Sequence, residues 1–175
     1  MYSNPQKTEV RRALAERTGL TLKKVRYDKE ALTGDYKGRD LTLYNFNKGR
    51  GGIFFAVRLG LKKDSGIEML VRSGLSGGLS GHIVDRTGRQ SDNDFTHHFF
   101  VKGAPEETVT RVLDSADLQR GLRAAFDRTG GVEVRVEKGC LIFEQLDLGR
   151  HDADYLMSVI GLLGDLAVAL EADGE

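Results

Sequence analysis

The residues of this chain best suited to chemistry gather around one glycine-rich tract. Ser73-Gly74-Leu75-Ser76-Gly77-Gly78-Leu79-Ser80-Gly81 is preceded by Arg72 and followed by His82, Arg86 and Arg89. Successive backbone N–H groups in such a tract can form a concave nest for an anion. Guanidinium groups beside it would add charge-assisted hydrogen bonds. Arg72, Gly77, Gly78, His82, Arg86 and Arg89 are therefore the candidate ligand-binding residues. The established phosphate-loop patterns are missing. A Walker loop needs Gly, four residues and then Gly-Lys-Ser/Thr; here Gly77 and Gly81 are followed by Gly78 and His82, with no lysine. Gly-x-Gly-x-x-Gly is also absent. Glycine richness signals a permissive backbone, so a loop without a ligand is the competing reading.

No catalytic set emerges elsewhere. Adjacent His97 and His98 point to opposite faces of an extended chain and about 100° apart on a helix, which is poor geometry for holding one ion. A set joining one of them to His82, Asp92 or Asp94 matches no metal-ligand spacing. His151-Asp152-Ala153-Asp154 reads as a helix start, with acids at the positive end of the dipole. Cys140 is the lone cysteine; no flanking signature marks it, so it reads as a structural thiol. Gly78-Leu79-Ser80-Gly81 is one residue short of the hydrolase elbow Gly-x-Ser-x-Gly. The carboxylates show no paired arrangement. The expectation is no metal and no cofactor; whether the chain is an enzyme stays open, with the balance against it.

The elements that must position these residues follow from periodicity. Residues 7–17 read as a helix carrying Val10, Ala13 and Leu14 on one side, stopped by Gly19. Residues 31–36 and 39–46 flank Lys37-Gly38, a two-residue turn of the kind that closes a type I′ hairpin. Residues 53–61 alternate with period two over a long stretch, and 67–71 form a weaker strand. Residues 73–94 read as a loop that is mobile or functional or that hides a short element. A short strand at 99–102 leads into helices at about 105–113 and 116–128, the second starting at an Asp114-Ser115 cap. Val132, Val134 and Val136 alternate with Glu133, Arg135 and Glu137, turn at Lys138-Gly139 and return along 141–146. That turn predicts Val136 opposite Leu141 and Val134 opposite Phe143 on the buried side, with Glu133 opposite Glu144 outside. The last helix, about 152–172, has a wide apolar face. Leu162 and Val168 fall outside its main stripe, and Gly161 and Gly164 admit a close neighbour. Gly161, Leu162 and Gly164 are thus a candidate interface, either with helices of the same chain or with a second copy in a symmetric dimer.

The order of elements is that of an α+β fold, an antiparallel sheet made of a meander and a C-terminal hairpin with helices on one face. Residues 1–175 read as a single domain interrupted by the Gly/Ser-rich loop at about 73–94. Hydrophobic residues make up 39% of the 175 and charged residues 30%, too apolar for wholesale disorder. Residues 1–50 hold twelve Lys/Arg against six Asp/Glu, whereas 141–175 hold one basic residue against eight acidic ones. Such asymmetry fits two ends packed on opposite faces. No aromatic-interleaved basic stripe points to nucleic acid. The N-terminal residues lack the apolar run of a signal peptide, and the apolar run 155–170 is broken by Ser158, Gly161, Gly164 and Asp165, so no membrane span is expected. One cysteine and no leader fit a reducing, cytoplasmic location.

Two stretches carry a resemblance. Gly34-Asp35-Tyr36-Lys37-Gly38-Arg39 and Phe95-Thr96-His97-His98-Phe99-Phe100-Val101-Lys102-Gly103 resemble the Gly-x-Tyr-x-Gly-Arg hairpin and the Phe-x-x-x-Phe-x-Val-x-Gly motif of a loose group of uncharacterised bacterial proteins. Many of those have membrane spans that are not expected here. The resemblance spans most of residues 10–147 and implies a fold order and core anchors at Phe95 and Phe99, with no activity attached. The topology alone is similar to the small dimeric chaperones of type III secretion. The functional expectation is a non-enzymatic protein-binding or adaptor module of a bacterial cell. Its rival is a small-molecule or anion-binding domain, enzymatic or not, built on the glycine tract.

Overall fold

The computed structural model describes residues 5–25, 29–49, 52–63, 66–73, 99–126, 132–147, 149 and 151–172. In chain order these form α1 (Pro5–Thr18), β1 (Thr21–Val25), β2 (Lys29–Asp35), β3 (Asp40–Asn47), β4 (Ile53–Gly60), β5 (Glu68–Ser73), β6 (Phe99–Ala104), α2 (Glu106–Leu113), α3 (Ala116–Phe126), β7 (Glu133–Glu137), β8 (Cys140–Leu146) and α4 (Ala153–Glu171). The strands join in one sheet of order β1-β2-β3-β4-β8-β7-β5-β6, every neighbouring pair antiparallel. The α+β expectation holds. The C-terminal hairpin is not appended to the meander but inserted between β4 and β5.

Both hairpin turns follow from their residues. Lys37 and Gly38 have φ of 53° and 76°, and Lys138 and Gly139 have φ of 51° and 68°. These are the paired left-handed conformations of a type I′ turn, which matches the twist of the strands it joins. The register of the second hairpin is the expected one: Val136 pairs with Leu141, Val134 with Phe143 and Glu133 with Glu144. Val134 and Phe143 are fully buried.

One transverse row crosses the whole sheet: Leu22, Leu32, Leu43, Val57, Phe143, Val134, Val71 and Val101. From Leu32 to Val71 its members are buried, because the four described helices lie on this side. Tyr155 of α4 sets its hydroxyl 2.7 Å from Gln145 Oε1. Phe126 of α3 meets Phe99 edge-on at 5.0 Å. Leu14 of α1 is fully buried in the same core. A Cβ on Gly103 would lie 2.6 Å from both Glu68 O and Val109 Cγ2, so glycine is what lets α2 sit on β6. Asp152 caps α4 by accepting from Tyr155 N at 2.7 Å. By length and mean hydropathy (1.6) α4 would pass for a membrane span, yet half of it is buried in this core.

Three expectations change. β1 was not apparent in the sequence; Lys23 and Lys24 expose it as an edge strand, and lysine on an edge discourages further pairing. Glu144 faces Glu133 on the outer face as expected, yet it is 4% exposed rather than open to solvent. Leu162, expected outside the main stripe of α4, is buried: a Cβ on Gly121 of α3 would lie 2.9 Å from its Cδ1, so a glycine makes the room that Leu162 fills.

Candidate functional site

Two places concentrate polar and aromatic groups, one on the face of the sheet away from the helices and one at the end of the helix-facing side. The outer face starts from the row adjacent to the core row: Lys23, Ala31, Tyr44, Ala56, Glu144, Glu133, Arg72 and Phe100. Beside it Phe46 pairs with Phe54 and Phe54 with Leu146. The rings form a half-buried cluster, with Phe46 5.8 Å from Tyr44 and 5.9 Å from Phe54. Lys48 lays its ammonium 5.0 Å from the Phe54 ring centre and 5.5 Å from that of Phe46. Ring faces attract a cation in this geometry. The same ammonium ends on Glu144.

Glu144 is buried here with no described helix above it. Arg135 closes it in: its guanidinium donates to Glu144 at 2.6 Å, to Glu133 at 2.8 Å and to Glu137 at 3.1 Å. The two carboxylates that face each other across the hairpin are thereby neutralised by one fork of donors. Burial alone would raise the Glu144 pKa, but Arg135 and Lys48 outweigh it and hold the carboxyl below its ordinary value. The hydrogen bond to Glu144 in turn keeps Arg135 charged beyond its ordinary range, against the opposing effect of burial.

The second place is a cleft of ≈ 40 Å³ between α1, the strands β3 and β4, and the link from β8 to α4. Val10, Leu43, Phe55 and Leu156 make its apolar wall, and Lys7, Arg11, Asn45, Asp147 and His151 its polar side. Asp147 takes three donors. One oxygen takes Lys7 and Asn45 Nδ2, the latter at 2.6 Å; the other takes the N–H of Gly149 at 2.9 Å. Burial pushes its pKa up, yet these donors prevail and hold it below the usual carboxylate value. Arg11 bonds Asn45 Oδ1 and pairs with Glu30 at 3.5 Å. The His151 ring lies between Phe55, at 4.5 Å, and Tyr155, at 5.3 Å. Its pKa is lowered, chiefly by burial. The Leu146 carbonyl takes a hydrogen bond from the ring, and Nε2 is buried without a partner among the described residues. The bonded nitrogen is therefore Nδ1, and the neutral ring carries its lone pair on Nε2.

A third polar knot ties the ends of the fold. Arg39 forks onto both carboxylate oxygens of Glu171, at 2.7 and 2.5 Å, and Glu171 also accepts from Lys62 N. Both side chains are nearly buried. The Gly-x-Tyr-x-Gly-Arg hairpin is thus a clamp on the C-terminal end of α4. Gly34 passes Leu20 closely, Gly38 makes the turn, and Arg39 closes the lock.

The candidate residues read from the sequence are not brought together by the described residues. Arg72 is exposed on the outer face, its guanidinium 4.5 Å above Phe100. Gly77, Gly78, His82, Arg86 and Arg89 lie outside the described residues, as do His97, His98, Phe95 and all of the expected loop at 73–94 except Ser73, which ends β5. Gly161 and Gly164 are on α4 with nothing within 4 Å of a Cβ built on either. Sequence reasoning placed Glu144 but missed its tie to Lys48, and missed Asp147 and Asn45, whose partners are distant in sequence. The aromatic alternation of Tyr44, Phe46 and Phe54 was the available signal for the outer face.

No family model matches the chain, and no curated protein matches it. A solved structure is similar: the crystal structure of the mycobacterial trehalose monomycolate transport factor A, TtfA, with a TM-score of 0.61, 10% sequence identity and 93% of each chain covered. At that identity the likeness is one of fold.

Proposed function

We propose that this chain is a non-enzymatic protein-binding module that receives its partner on the outer face of the sheet. The observation carrying the reading is the aromatic cluster of Tyr44, Phe46 and Phe54 under Lys48, half-buried on the face opposite the described helices. Interface centres are enriched in aromatic side chains surrounded by a polar rim. Here Arg135, Glu133 and Arg58 lie on the same face as the cluster, and half-buried Leu146, paired with Phe54, extends its apolar border. The charged groups are arranged for holding rather than for proton transfer: Glu144 and Asp147 each have donors on their oxygens. The similar structure belongs to a protein titled a transport factor, a title that names carriage rather than a chemical step.

The test uses a photo-crosslinking residue at position 54 and, separately, at position 168 on α4, in the native cell. A partner captured from position 54 and not from 168, and lost in Phe46→Ser/Phe54→Ser with circular dichroism unchanged, supports the reading. Equal capture from both positions, or undiminished binding by the double variant, overturns it.

A further inference from the structure

We propose that His151 is an acid-sensitive latch that holds α1 against the end of the sheet while neutral and releases it when protonated. The geometry sets this up from three sides. The imidazole fills a slot between Phe55 of β4 and Tyr155 of α4. Its Nδ1 is committed to the Leu146 carbonyl, and a proton added at the buried Nε2 would make an N–H with no acceptor among the described residues. A buried N–H left without an acceptor loses the hydrogen bond that water would give it.

The groups around the ring leave a protonated imidazole two ways out. Lys7 and Arg11 stand on the α1 side, Asp147 on the link from β8, Asp152 at the cap of α4, and Glu30 behind Arg11. The Tyr155 hydroxyl is held by Gln145 and the Ala125 carbonyl. Asp152 is engaged in capping, and Asp154 is exposed and paired with Arg17. Asp147 is the carboxylate whose charge favours the imidazolium most, and its oxygens are already occupied by Lys7, Asn45 and Gly149. A protonated ring must either leave its slot or draw Asp147 away from Lys7 and Asn45. Either move undoes the tie between α1 and the β8–α4 link.

The sign follows from the direction of the shift. A histidine whose folded pKa is depressed favours folding while neutral. The contribution is present above the ordinary histidine value and drains away as pH falls from there through the lowered one. Asp147, Glu144 and Glu171 are held below their ordinary values. Between pH 7 and pH 5 they keep their charge, so the change at this site in that range belongs to His151.

Hydrogen exchange by mass spectrometry, corrected for intrinsic rates, tests the latch on the full chain. Between pH 7 and pH 5, α1 amides should lose protection at least about tenfold more than β8 amides, a difference of roughly 1.4 kcal/mol. His151→Phe keeps a ring in the slot and cannot take a proton, so it should abolish the selective loss. Lys7→Ala should loosen α1 already at pH 7. Selective loss persisting in His151→Phe, or no selective loss in the native chain, overturns the proposal. Should His151→Phe not fold, direct NMR titration decides: a His151 pKa at or above the ordinary value overturns the latch, and one below it with α1 shifts tracking the same curve supports it.

Discussion

The two faces of this sheet bury their centres by opposite means. On the helix side, Leu32, Leu43, Val57, Phe143, Val134 and Val71 run in one row and are covered by apolar side chains from four helices. One residue over, Ala31, Ala56 and Glu144 are as buried as that row, yet no described helix lies above them. They are closed in by their own neighbours: rings, a lysine stem and an arginine fork. An antiparallel sheet can leave one face to solvent when its side chains suit that role. Here the first face carries stability through apolar burial, and the second carries a fixed surface through paired charges. A buried ion pair adds little net stability against an apolar replacement but strongly resists losing one partner.

The largest expected effect separates the faces directly. Phe143→Ala should cost ~3–5 kcal/mol, the usual figure for emptying an aromatic site in a closed core. Phe54→Ser, on the half-buried outer cluster, should cost no more than ~1–2 kcal/mol. Urea unfolding of both variants checks the contrast; equal losses would mean that the outer face is part of the core.

Next in size is the clamp at the end of α4. Arg39→Ala should cost ~2–3 kcal/mol at pH 7, because it strips a nearly buried carboxylate of a two-pronged partner. Arg39 holds the Glu171 pKa below its ordinary value. The pair's contribution is therefore present above the ordinary carboxylate value and lost as pH falls through the lowered one. The gap between native chain and variant should narrow toward about pH 3 in thermal melts. A gap independent of pH would assign the loss to packing of the arginine stem.

Smaller still is the network around Glu144, where the two-face contrast sharpens. Arg135→Met alone should cost ~1–3 kcal/mol by leaving Glu144 with Lys48 as its remaining cation. Adding Glu144→Leu should bring stability back to within ~1 kcal/mol of the native chain. A double variant less stable than Arg135→Met alone would show that these charges support the sheet itself.

What the sequence revealed and what it hid divide along the range of the interactions. Lys37-Gly38 and Lys138-Gly139 specify their turns locally, so both hairpins and the Val134–Phe143 register were readable. β1 was hidden because an edge strand need not alternate: Lys23 and Lys24 are both exposed. The sites were hidden for another reason. Lys48 meets Glu144 across 96 positions, Asn45 meets Asp147 across 102, and Arg39 meets Glu171 across 132. No periodicity within one element records such pairs. His151 was legible as the approach to a helix cap, but not as a ring shut between Phe55 and Tyr155.

The smallest prediction concerns α4 and the candidate interface of Gly161, Leu162 and Gly164. Leu162 no longer belongs to an outward patch, since it packs against Gly121 within the chain. The two helical glycines differ from Gly121 in one respect: a Cβ added to either meets nothing within 4 Å. Glycine inside a helix is less favourable than alanine by ~0.5–1 kcal/mol. Gly161→Ala and Gly164→Ala should therefore each stabilise the chain by about that amount, and Gly121→Ala should destabilise it. Thermal melts check all three. Sedimentation at micromolar concentration adds the second copy to the comparison. A surface patch serving a symmetric dimer would be used twice, so each alanine would intrude twice. Variants that gain stability and sediment as the native chain does leave α4 an open, unpaired face. Variants that gain stability while a native dimer dissociates would return the glycines to the role of an interface and explain why a 19-residue helix carries two residues that its own fold does not require.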